Sequence, residues 1–225
     1  MKVIILIGIS WLLLMAPLYS QSFEKDMLAL QTAYEGTDDL YLEMQNSIWQ
    51  DKVVAKEQNA KISKKGASYL YQIDDAIMLI NTEYILMIDH LNKTIIYDKW
   101  TKEKAAALAQ QHIPVVTDIE EKYPSITYIG EIGQYKEYTL ENKEIQLSKV
   151  EISFESKTGF MRKIRYYYNP NLVNKEVYTE LKMNVINTNP SFRESAFSEK
   201  QFIIKEGKEF KGVGKYSKYT VRSAQ

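Results

Sequence analysis

Apolar side chains recur at intervals of three and four through Phe23, Met27, Leu28, Leu30 and Tyr34, a helical period that stops near Gly36. From Asp39 the period falls to two. Leu40, Leu42 and Met44 alternate with Tyr41, Glu43 and Gln45, which predicts a strand with its aliphatic side chains on one face. Between Lys61 and Trp100 the pattern repeats with little interruption. Tyr69, Tyr71 and Ile73 alternate with Leu70 and Gln72; Ala76 to Ile80 and Tyr84 to Ile88 are short apolar runs; a turn at His90-Leu91-Asn92-Lys93 leads into a strand through Ile95 and Tyr97. Short strands so closely spaced predict an antiparallel meander, in contrast to alternating strand and helix units.

Lys102 to Gln111 contains Ala105, Ala106, Ala107 and Leu108, strong helix formers, before Pro114 ends the segment. Strands resume at Ile126 to Ile129, Tyr135 to Leu140 and Ile145 to Phe154. The last of these changes apolar phase between Leu147 and Val150, which predicts a bulge, because a slip of one residue reverses the faces. Ser156-Lys157-Thr158-Gly159 is a hairpin loop leading to Phe160 to Tyr168, and Val177, Thr179, Leu181, Met183 and Val185 give the cleanest alternation in the chain. The tail from Ser191 carries Phe202, Ile204, turn glycines and a strand-like Tyr219 to Val221. The expected fold class is mainly β (α+β), a curved antiparallel sheet forming a half-barrel, with an N-terminal helix and a short helix in mid-chain. Neither a repeat nor a linker divides residues 21–225, which are expected to form a single domain with a C-terminal extension from about 191.

The first twenty residues change the picture from architecture to address. Lys2 precedes an apolar run from Val3 to Ala16, and Pro17-Leu18-Tyr19-Ser20 leads to Gln21, the form of a secretory signal peptide over residues 1–20. The run is shorter than the roughly 18 to 20 apolar residues of a membrane-spanning helix. The chain contains no cysteine, so no disulfide staples it and no lipid is attached to a cysteine at the cleavage site. A bacterial protein, soluble in the periplasm when mature and without a stable membrane anchor, is the expectation. The formal charge is +0, which disfavours nucleic acid as a partner.

Chemistry is sparse. The chain has 2 histidines: His90 falls in a predicted turn beside Asp89, where solvent exposure is expected, and His112 follows the mid-chain helix. Neither metal nor cofactor is expected, since no pair of imidazoles or thiols has ligand spacing. No nucleophile elbow or phosphate loop occurs, and no catalytic residue is assigned. Tyrosine is the unusual quantity, at 17; many fall on strands, where an apolar ring with a polar tip suits a cavity wall, a lipid contact or a protein interface. Tyr166-Tyr167-Tyr168 places aromatics on both faces of one strand.

The order of elements resembles the periplasmic lipoprotein carriers of the LolA type. The local similarity is carried by Leu40-Tyr41-Leu42-Glu43-Met44-Gln45, Ala67-Ser68-Tyr69-Leu70-Tyr71-Gln72, Ile88-Asp89 and Thr94-Ile95-Ile96-Tyr97-Asp98, with a second stretch over Phe154 to Tyr168. The resemblance implies a half-barrel whose concave face holds acyl chains. It implies a non-enzymatic protein of the cell envelope, active in lipid binding or lipoprotein transport, with a lipid or lipidated protein as partner. The expected lining is Leu40, Leu42, Met44, Tyr69, Tyr71, Ile73, Ile152, Phe154, Ile164 and Tyr166. The alternative is a structural or accessory subunit of an envelope or secretion assembly, which buries the same face against a protein partner.

Overall fold

The computed structural model describes residues 16–104 and 116–224, the side chains of 16–22 and 116–118 excepted. Most of the expected signal segment, the greater part of the mid-chain helix and His112 lie outside the described residues.

The described elements are helix α1 (Ala16–Glu35), strands β1 (Asp39–Gln50), β2 (Val53–Lys65), β3 (Ser68–Ile73), β4 (Ala76–Ile80), β5 (Tyr84–Asp89) and β6 (Thr94–Lys99), helix α2 (Val116–Lys122), and strands β7 (Ser125–Ile132), β8 (Tyr135–Glu141), β9 (Leu147–Glu155), β10 (Met161–Tyr168), β11 (Val177–Asn187), β12 (Ile203–Glu206), β13 (Glu209–Gly212) and β14 (Thr220–Ser223). The protein is mainly β. One sheet has 12 strands in the order β7-β8-β9-β10-β11-β1-β2-β3-β4-β5-β6-β14, and β12 and β13 form a separate hairpin. The neighbours within the two meanders pair antiparallel, as expected, but β14 pairs parallel with β6, so the sheet is mixed.

The chain divides into two compact units, residues 1–36, 47–56 and 113–182 in the first and 37–46, 57–112 and 183–225 in the second. In the first unit α1 sets Phe23, Met27 and Leu30 into a cluster with Tyr138, Leu140, Val150, Ile152, Phe154 and Ile164. The helical period fixes that face and also excludes Leu28, which is rotated about 100° from Met27 and stands exposed. The ring of Phe23 meets Tyr138 edge-on at 5.2 Å. Beside it, the nearly buried Asp26 carboxylate accepts from the Tyr138 hydroxyl and from Lys136 Nζ, each at 2.7 Å, so a polar pair fixes the helix where apolar packing alone would let it slide. On the opposite face of the same strands, Arg165 lies between Glu180, at 2.5 Å from its Nε, and Glu151, whose carboxylate also accepts from Tyr167. The predicted phase change in β9 is a bulge at Ser148: Tyr167 pairs with Lys149 but Tyr168 pairs with Leu147.

In the second unit one face of β3–β6 is packed by the C-terminal segment. Leu79, Leu86, Ile88 and Ile95 form a core with Phe197, Phe202, Ile203 and Tyr216. Asn81 ties the two parts together, its amide donating to the Phe197 carbonyl at 3.1 Å and to Glu199 at 3.0 Å. Gly212 permits a close approach: a Cβ there would run into the carbonyl of Tyr216.

Candidate functional site

The second unit's cross-strand register places every side chain of β3–β6 on one of two faces. Leu70, Ile77, Leu79, Leu86, Ile88 and Ile95 point to the face that the C-terminal segment covers. The other face carries a different set. Ile62 pairs with Tyr71, Tyr71 with Met78, Met78 with Met87 and Met87 with Ile96, giving one continuous row across β2, β3, β4, β5 and β6. Beside it runs a second row, Lys64, Tyr69, Ile80, Ile85 and Asp98.

These rows bring together aliphatic, thioether and phenolic side chains whose exposure is graded. Ile80 is buried, Ile62, Tyr69, Tyr71, Met78, Ile85 and Ile96 are half-buried, and Met87 is 54% exposed. Tyr69 and Tyr71, two residues apart on one strand, stack at 5.9 Å with 12° between their planes. Burial pushes the Tyr71 phenol up to about 12, with the neighbouring Tyr69 adding to the rise, and burial raises Tyr69 too. Both are therefore uncharged over the physiological range. Charge stands at the ends of the second row: Lys64 donates to the Thr37 carbonyl at 2.5 Å, and Asp98 pairs with Lys104, whose hydrogen bond holds the carboxylate below its usual range.

The expected lining residues divide. Tyr69, Tyr71 and Ile73 lie on this face, Ile73 in a third row with Ala76, Asp89 and Thr94. Leu40, Leu42 and Met44 belong to it as well: Glu43 and Tyr41 bond to one another and Glu43 reaches Lys61, which pairs with Gln72 on the covered face, so the alternate residues of β1 point the other way. Leu40 and Leu42 are buried and Met44 is half-buried. Ile152, Phe154 and Ile164, by contrast, are in the first unit's core, packed with α1, and Tyr166 packs against that core with its phenol raised by burial.

Met78, Ile80, Ile85, Met87 and Ile96 were absent from the expected lining. Ala76 to Ile80 and Tyr84 to Ile88 are apolar at every position, so periodicity could not separate their faces; only pairing with Tyr69 and Tyr71 does so. His90 also departs from expectation. It is half-buried, its Nδ1 lies 2.8 Å from the Tyr219 hydroxyl and its ring stacks on Tyr216 at 5.8 Å, so it binds the C-terminal segment where solvent exposure was expected. A cavity of about 290 Å³ lies between β3, β4 and that segment, lined by Leu70, Gln72, Ile77, Gln201, Phe202 and Lys215 among others, on the opposite side of the sheet from the tyrosine and methionine rows. Among the described residues no group of three or more histidines and carboxylates could hold a metal ion, and no helix is long and apolar enough to cross a membrane.

No family model matches the chain, and no curated protein matches it. Among solved structures it is similar to an uncharacterized conserved protein from Thermus thermophilus, with a TM-score of 0.52 and 8% identity over 90% of this chain and 99% of that one. It is also similar to a LolA superfamily protein from Nitrosomonas europaea, with a TM-score of 0.34 and 10% identity over 77% of this chain and 97% of that one. A third is the Pseudomonas aeruginosa MucA/MucB complex, with a TM-score of 0.40 and 13% identity over 84% of this chain and 62% of that one. The likeness to the Thermus thermophilus protein is one of fold alone.

Proposed function

We propose that this is an exported, non-enzymatic protein of the cell envelope that binds an acyl chain, as free lipid or as part of a lipidated protein, against the second unit's tyrosine and methionine rows. The observation that carries this reading is the row Ile62–Tyr71–Met78–Met87–Ile96, an apolar ladder on the face of β3–β6 opposite the one that the chain's own C-terminal segment fills. A row of side chains turned to water is normally polar; this row is aliphatic, thioether and phenolic throughout.

The composition of the row suits a flexible hydrocarbon. Methionine is unbranched and polarizable, so its side chain fits irregular apolar partners. The stacked rings of Tyr69 and Tyr71 offer a flat wall with uncharged hydroxyl tips. Neighbouring strands lie about 4.8 Å apart, so the ladder from Ile62 to Ile96 extends about 19 Å. One lipid chain reaches about 15 Å, half of a bilayer's hydrocarbon core. Each buried methylene contributes about 0.8 kcal/mol, enough over one chain to offset the cost of ordering it.

The test is extraction under native conditions followed by lipid mass spectrometry, together with titration of the purified protein by a fluorescent fatty acid. The reading requires co-purified lipid or saturable binding of the probe. Lipid-free protein that ignores the probe, and that comes from envelope extracts with a stoichiometric protein partner, would establish the accessory-subunit alternative instead.

A further inference from the structure

β14 ends the sheet beside β6, and its register settles where its side chains go. Val221 pairs with Ile95 and packs into the core of the second unit, so Arg222, which pairs with Ile96, falls on the opposite face. Arg222 therefore extends the row Ile62–Tyr71–Met78–Met87–Ile96 by one strand. The strand is fixed at both ends by backbone bonds, Thr220 N–H to the Lys93 carbonyl at 2.9 Å and Ala224 N–H to the Tyr97 carbonyl at 2.8 Å.

The charges facing this end of the ladder are unequally occupied. Asp98 is paired with Lys104, and Asp89 accepts from the backbone and side chain of Asn92. At the other end of the rows Lys64 is bonded to the Thr37 carbonyl. Arg222 is exposed, and among the described residues no carboxylate is within ion-pair distance of it. A guanidinium fork at the end of an apolar row about one acyl chain long is a binding geometry for a molecule with one tail and an anionic oxygen head.

We infer that the ligand of this face is an anionic amphiphile, its chain laid across β2–β6 and its carboxylate or phosphate head received by Arg222. This rests on the acyl-binding reading above and adds to it the head-group charge and the residue that selects it. It also gives the C-terminal strand a part in binding beyond covering the core.

The test compares dodecanoate, dodecyl phosphate and uncharged dodecyl maltoside, each below its micelle concentration, displacing a fluorescent apolar probe from the full chain and from Arg222→Gln and Arg222→Lys. The two anionic ligands should bind the unaltered protein about tenfold more tightly than the uncharged one, the value of one charge-assisted hydrogen-bond pair. Arg222→Gln should abolish that preference while leaving affinity for the maltoside unchanged, and Arg222→Lys should restore part of it. Whichever anionic ligand binds more tightly identifies the head as carboxylate or phosphate. Equal affinities in the unaltered protein, a preference that survives Arg222→Gln, or loss of the maltoside along with the anions would each overturn the assignment to Arg222 while the acyl-binding reading stands. Failure of the unaltered protein to bind any of the three would remove both.

Discussion

Met87 lies between Leu86 and Ile88, which are buried on the covered face, and is itself 54% exposed on the other. On the proposed binding face it should matter to ligand affinity and little to stability, so the two effects separate. Met87→Lys is expected to leave the unfolding free energy within about 0.5 kcal/mol, as for other exposed positions. It should weaken a fluorescent fatty acid about tenfold or more, since a charge would have to be desolvated beneath the chain; paired denaturation and probe titrations read both. Gly212 behaves in the opposite way. Its Cβ would strike the Tyr216 carbonyl, a backbone atom with no rotamer to escape through, so Gly212→Ala should cost about 1–3 kcal/mol in urea unfolding without touching the proposed binding face.

At the scale of elements, α1 depends on both its apolar edge and Asp26. Asp26→Ala leaves the Lys136 ammonium and the Tyr138 hydroxyl without their acceptor, a cost of about 2–3 kcal/mol. The expected readout is faster amide exchange in α1 while β3–β6 keep their protection. The helix was legible because Phe23, Met27, Leu30 and Tyr34 repeat at helical spacing, and β9's bulge because its apolar phase reverses. The far half of β1 and the start of β2 were not. Val53–Lys65 is polar at most positions and largely exposed, so no buried face marks it as a strand. The turn before it uses Asp51 and Lys52 at φ 49° and 67°, left-handed values usually signalled by Asn-Gly or Asp-Gly. The candidate site was legible in part for a related reason. Alternation identifies the face of Tyr69 and Tyr71, but the methionines opposite sit in runs apolar on both faces, and register with β3 is what assigns them.

At the scale of the whole molecule, burial of phenols gives stability a definite alkaline edge. Tyr34, Tyr71 and Tyr167 are each raised from 10.0 to about 12, all three chiefly by burial. Between those values the folded state holds protons that the unfolded chain releases. Their contribution to stability is therefore intact below about pH 10 and is lost as pH rises toward 12, which thermal melts against pH, with phenolate absorbance followed in parallel, will show. The proposed export is tested by the N-terminal sequence of protein recovered from periplasmic extracts, with residues 1–20 expected to be missing.

Whether an acyl chain lies on the rows formed by β2–β6 can be read from methyl-labelled methionine by NMR during titration with a fatty acid, because the methionines report from separate places: Met78 and Met87 on the proposed face, Met27 and Met161 in or against the first unit's core. The Met78 and Met87 methyl resonances should shift saturably while those of Met27 and Met161 stay in place. Saturable binding that leaves Met78 and Met87 unmoved, or that shifts Met27 and Met161 in their stead, would contradict that placement.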